Sequence, residues 1–203
     1  IWSEPIKPFD IVIRRQVADS KKNKSNVDFG DTTEIEIGDY FNFHNHTIYS
    51  TLSATSHFSE LIKAAAENDY KAVGMVDLGN LMGAFKFVSE VEKYNGDIKK
   101  KKAEAEEKGE EFTKSPLIPV LGCEFYISER PEQKQFTKDD PDRRTNVVLL
   151  AKNFKGYKNL AKLSSLGFTN GFYAGVPRIS KKQIAEFKED LIAVTSGIYG
   201  DVP

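Results

Sequence analysis

Short, nearly uninterrupted apolar runs alternate with amphipathic stretches from residue 40 onward, and this alternation narrows the fold more than any other feature of the 203-residue chain. YFNFHNH (40–46) has the pattern of a strand ending in polar residues. A stretch starting near Ser56, a fair N-cap with Glu60 in the first turn, then puts Phe58, Leu61, Ile62, Ala65 and Ala66 on one helical face. AVGMVD (72–77) is a second apolar run closed by an acid, and a helical stripe of Leu81, Ala84, Phe85, Val88 and Val91 follows it. IPVLGCEFYI (118–127), NVVLLA (146–151) and LIAVTS (191–196) predict further buried strands, with helices over 154–166 and 180–188. Five strands with intervening helices predict an α/β fold built on a parallel sheet or barrel.

In such a fold the reactive groups gather at the C-terminal ends of the strands. His44 and His46 end the first run, Asp77 ends the second and Glu124 lies in the third, so a shared mouth is the natural expectation. Residues two apart on a strand point to the same face. One ion can therefore be gripped by both imidazoles, provided that carboxylates or further histidines arrive from other strands. The chain has only one more histidine, His57, which limits its metal chemistry. His57 sits at a helix start, where the dipole disfavours a protonated ring, and reads as a neutral histidine at or near the surface.

Charge excludes one class of function. Lys+Arg 29 against Asp+Glu 30 leaves a net charge of −1, which is not the footprint of a chain that grips nucleic acid mainly by neutralising phosphates. The run Lys99–Lys102 lies in a segment, 97–115, whose balanced lysines and acids predict a solvated helix face or a mobile insertion. No apolar run reaches about 18 residues and the N-terminus lacks a signal-peptide profile, so a cytoplasmic setting without membrane contact is expected. The single cysteine, Cys123, forms no internal disulfide and reads as a buried strand thiol. Glycine-rich phosphate loops and a nucleophile elbow are absent from the sequence. Phe168, Phe172 and Tyr173 can be read as a base-stacking platform, although packing within the core or a loop is the expected role. The polar loop over 128–145, with two prolines, is expected to be exposed.

YFNFHNHTIYSTLSATS, AVGMVDLGNLMGAFKFV, IPVLGCEFYI, VVLLAKNFKGYKNLAKLSSLGFTNGFY and LIAVTSGIYGDVP, in that order, resemble the PHP (polymerase and histidinol phosphatase) domain. The form they resemble is the one carried by bacterial replicative DNA polymerase III alpha subunits, and the resemblance covers residues 40–203. It implies a distorted (β/α)7 PHP barrel whose mouth, in intact members, holds a cluster of metal ions that hydrolyses phosphoesters. About five βα units are legible here, which implies a partial barrel, incomplete at the C-terminus. The lysine- and glutamate-rich insertion is similar to that of a subgroup whose polymerase chain begins with a proofreading exonuclease domain. Residues 1–39 would then be a connector, or an appended β-hairpin formed by FDIVIRRQVA and TEIEIG.

Carried over residue by residue, the family's metal ligands are only partly matched. His44 and His46 match its first histidine pair, and Glu124 matches the bridging glutamate of its GCE motif. Ser53 stands where the family has an aspartate, Leu78 where it has a histidine, Asn146 or Val147 where another histidine precedes VLLAKN, and Ile198 near a cysteine. The last two family ligands would lie beyond Pro203. The resemblance thus implies no catalytic residues in this fragment. It allows no cofactor, or at most one weakly bound Zn or Mn at His44, His46 and Glu124; the plainer alternative is that these three only hydrogen-bond one another in a relict mouth. The parent would be a DNA-directed DNA polymerase acting in chromosomal replication, with this piece structural and partner-binding. Its partners would be the remainder of the polymerase chain and a proofreading exonuclease subunit or domain, with DNA reached indirectly through the holoenzyme. The alternative function is a metal-dependent phosphoesterase or 3′–5′ exonuclease acting on DNA ends.

Overall fold

A computed structural model describes residues 41–197, 200 and 201. The segment expected as a connector or hairpin, 1–39, and Ile198 lie outside the described residues. The elements run α1 (Phe58–Glu67), β1 (Ala72–Leu78), α2 (Ala84–Lys108), β2 (Ile118–Ile127), β3 (Thr145–Ala151), α3 (Phe154–Thr169), β4 (Arg178–Ile179), α4 (Lys181–Glu186) and β5 (Leu191–Thr195). They build a mixed α/β fold on an open five-stranded sheet of order β1-β2-β3-β5. β2 is its spine. It pairs in parallel with β1 from Ala72↔Ile118 to Leu78↔Glu124, and beyond that the short β4 takes over at Tyr126↔Arg178 and Ile127↔Ile179.

The sheet is not the parallel one that the alternation predicts. β3 runs antiparallel to β2, and β5 antiparallel to β3. A parallel return needs a crossover, usually a helix, and residues 128–144 contain none. The chain leaves β2 and re-enters the sheet at the same end, so β3 must run the other way. Barrel closure is not seen among the described residues.

Alternation along the strands separates two faces. Val73, Met75 and Leu121 pack beneath α1 and α2 with Phe58, Ile62, Phe87 and Val91. Cys123, Phe125, Leu149 and Ile179 pack beneath α3 with Leu160 and Leu163. The intervening residues turn the other way, where Val76, Val148 and Leu150 gather with Phe43, Val120 and Val194. Each buried side chain of this size contributes about 1.5–3 kcal/mol. The division matters because Leu78, Glu124 and Asn146 share the parity of this second face.

Several predicted elements shift. Residue 57, not Ser56, caps α1, and the Glu60 carboxylate accepts the His57 backbone N–H at 3.0 Å. Phe87 is fully buried while Phe85 is 84% exposed, so the core stripe of α2 is Ala84, Phe87 and Val91. The insertion prolongs α2 as a helix with a solvated face, one of its two expected forms: Lys99–Lys102 are exposed, Ile98 and Ala105 are buried, and Gly109 ends it at φ 70°. β5 was expected to be buried, but Ile192 is 45% exposed because β5 lies at the end of the sheet path. No described helix is long and apolar enough to cross a membrane.

Candidate metal centre

Residues 41–47 form an extended arm beside β1 rather than the predicted strand. Gly74 N–H donates to Asn42 O at 3.3 Å and Val76 N–H to Asn45 O at 2.8 Å. Three arm residues thus span what two β1 residues span, and no regular ladder can form. The arm presses on β1 at Gly74, where a Cβ would collide with the backbone of Phe43.

The arm delivers both imidazoles to one carboxylate. His44 Nε2 lies 2.8 Å and His46 Nε2 2.9 Å from Glu124 Oε2. The second oxygen, Oε1, accepts from Asn146 Nδ2 at 2.9 Å. Exposure grades inward, with side chains 34% exposed at His44, 26% at His46 and 7% at Glu124. Burial alone would raise the Glu124 pKa, but the hydrogen bonds from His44, His46 and Asn146 outweigh it and hold the group well below the usual carboxylate range.

The structure brings together the three residues singled out as metal ligands, whose donor atoms lie within 4.8 Å of one another. Among the described residues no other group of three histidine, cysteine, aspartate or glutamate side chains converges in this way. Asp77 does not join it. Fully buried, Asp77 accepts from Thr47 N–H at 2.6 Å, the Thr47 hydroxyl at 2.8 Å and the Ser50 hydroxyl at 2.7 Å. The sequence left open whether Asn146 or Val147 occupies the family's histidine position; Asn146 faces Glu124, whereas Val147 packs with Cys123 and Phe125. Cys123 is fully buried as expected, and burial pushes its thiol pKa up. His57 is exposed. Phe168 and Phe172 stack on each other at 5.8 Å, while Tyr173 packs against Phe136 at 5.0 Å.

Two imidazoles and a carboxylate fit one ion with a position left for water. A tetrahedral zinc spreads its donors about 3.3 Å apart, so the present 2.8 and 2.9 Å spacings need open only slightly. A second ion would lie about 3.5–4 Å away. It would need donors around Glu124 Oε1, where the Asn146 amide already sits and Leu78 is the Cα partner of Glu124 across β1 and β2. Asn45, Thr47 and Ser50, which hold the arm, escape a reading of ligand types; the recurrence of asparagine at 42 and 45 was the available signal.

Residues 42–203 match the PHP domain family, and the chain belongs to that family. Its relatives include DNA polymerase III subunit alpha proteins. The chain is 36% identical over 167 residues to that of Aquifex aeolicus (strain VF5) and 30% over 164 residues to that of Borreliella burgdorferi. It is 32% identical over 162 residues to that of Chlamydia trachomatis serovar D. These alignments cover 80%, 81% and 78% of this chain but only 12%, 12% and 11% of the relatives' lengths.

Proposed function

We propose that this chain is a structural and partner-binding PHP domain of a cytoplasmic DNA polymerase III alpha subunit, itself non-catalytic, serving chromosomal replication. The observation that carries this reading is the surrounding of Glu124: a neutral amide holds its second oxygen and a leucine stands beside it. One zinc or manganese ion held by His44, His46 and Glu124 would supply a polarised water, without the bridged pair that clamps both oxygens of a phosphodiester. The relatives named above support the polymerase context. An apolar groove of about 420 Å³ between α2 and α3 supports a packing role, lined by Phe85, Leu121, Phe154 and Tyr157 among others. Phe85 and Phe154 are 84% and 69% exposed, and we assign that face to the remainder of the polymerase chain or to a proofreading exonuclease subunit or domain.

The competing reading, a metal-dependent phosphoesterase or 3′–5′ exonuclease on DNA ends, rests on the surviving His44, His46 and Glu124 set. Elemental analysis of the full chain, purified without chelator, separates the two. At most one equivalent of zinc or manganese is expected, with no hydrolysis of single-stranded DNA ends or a chromogenic phosphodiester. Two or more equivalents, with turnover abolished by His44→Ala, would overturn the structural assignment.

A further inference from the structure

The arm that carries the histidines lacks a strand's ladder, and side chains replace the missing rungs. Asn45 Nδ2 donates to Gly74 O at 3.1 Å and to Asn42 O at 2.8 Å, while Asn42 Nδ2 donates to Asn45 Oδ1 at 2.8 Å. One residue past His46, the Thr47 N–H finds a carboxylate oxygen of Asp77 where a ladder would offer a backbone carbonyl. Ser50 closes the knot, donating its hydroxyl to Asp77 and accepting the Leu78 N–H at 3.1 Å. Thr47, Ser50 and Asp77 are each at most 1% exposed.

A buried carboxyl group is costly unless its oxygens are hydrogen-bonded. Among the described residues, every hydrogen bond that Asp77 accepts comes from Thr47 or Ser50, and none forms an ion pair with it. Its burial is therefore compensated only while residues 47–50 stay folded against the end of β1. That condition fixes the chain immediately after His46, as Asn45 fixes it between the two histidines.

We propose that Asp77 is a positioning residue for the histidine pair: through Thr47, and with Asn45 as a second anchor, it holds His44 and His46 against Glu124 before any ion arrives. This deepens the reading of His44, His46 and Glu124 as an ion-holding set, and it can be tested without an ion. A carboxylate suits the place because its two oxygens accept all three converging donors, of which the Thr47 N–H can only donate. Asparagine would be a weak test, since its NH2 can donate to the Thr47 hydroxyl while its carbonyl keeps the other two donors; Asp77→Leu removes every acceptor and leaves the buried Thr47 N–H without its partner.

Two readouts decide the matter. In chelator-treated protein, the histidine ring N–H resonances bonded to Glu124 should be sharp and slow to exchange, and Asp77→Leu should broaden or erase both while core methyl signals persist. Cobalt(II) titration should then show about tenfold or greater loss of affinity, the scale found when residues that orient metal ligands are changed. Leu52→Ala, fully exposed in the same turn, should leave both readouts unchanged. If Asp77→Leu does not fold, Thr47→Val removes one donor to the same carboxylate, keeps the backbone bond and is read in the same way. A variant that lowers the melting temperature yet keeps the ring signals and a cobalt affinity within twofold of wild type makes Asp77 merely structural and overturns the proposal. If wild type binds no cobalt while the variant still scrambles the ring signals, the ion-holding reading fails and the positioning role stands.

Discussion

Glu124 is a carboxylate whose environment pulls in two directions. Its burial opposes ionisation, and hydrogen bonds from His44, His46 and Asn146 favour it more strongly, so the folded-state pKa lies below the unfolded one. The sign follows by linkage: a depressed carboxylate pKa contributes stability above the unfolded value, about 4.3 for glutamate, and that stability is lost as the pH falls toward the folded value. With chelator present, the difference in urea stability between wild type and Glu124→Gln should hold near pH 5 and shrink steadily toward pH 3. A difference that does not change over that range would contradict this account. The three converging groups were legible in the sequence because histidine and glutamate advertise their chemistry by type. The roles of Asn45, Thr47 and Ser50 were not, because they exist only where the arm fails to make a ladder. Asp77 was legible as the end of a strand but not as the anchor of the following turn.

Leu78, Glu124 and Asn146 show what a strand contributes beyond single residues. Register places Leu78 directly beside Glu124, and parity turns both toward the face that Asn146 also reaches. A histidine at 78 and another at 146 would therefore flank Glu124 Oε1. The double variant Leu78→His/Asn146→His is expected to raise bound zinc from at most one equivalent to nearly two, as measured by elemental analysis; no gain would mean that the second site has lost more than its ligands. The strands over 72–78 and 118–127 were readable because uninterrupted apolar runs suit burial on both faces. The arm misled for a physical reason: Asn42 and Asn45 have strand-like neighbours, but their amides compete for the backbone groups that a ladder needs. The antiparallel run of β3 was masked by the strand–helix alternation on either side, although the polar, proline-bearing loop over 128–145 offers no helix for a parallel return.

At the scale of the whole molecule, one arginine decides whether that connection is a loose loop or a strap. Most side chains of 128–144 are exposed, as the sequence suggested, yet Pro131 is buried and Arg178 beneath the strap is fully buried. Arg178 donates to Asp142 Oδ1 at 2.7 Å, to Pro131 O at 2.8 Å, to Gln133 O at 2.7 Å and to Gly171 O at 3.0 Å. Its guanidinium also lies 5.3 Å from the Phe136 ring centre and 5.0 Å from that of Tyr173. One side chain thus ties the strap to β4 and to the end of α3, and Gly171 is small because a Cβ there would meet the Arg178 carbonyl. Removing one partner of a buried ion pair costs about 3–5 kcal/mol. Arg144, whose Nε is 3.4 Å from Asp142 Oδ2, remains as a partial substitute, which points to the lower end of that range. Arg178→Met is therefore expected to cost about 3 kcal/mol and, at about 2–4 °C per kcal/mol for a chain of this size, to lower the melting temperature by about 6–12 °C. Trypsin should then cut within the strap, at the exposed Lys134 or Lys138, faster than in wild type. Asp142→Leu should cost less in the Arg178→Met background than alone, because the unpaired charge is already present there. A melting temperature within about 2 °C of wild type, with the strap still resistant, would show that the sheet holds residues 128–144 without the arginine.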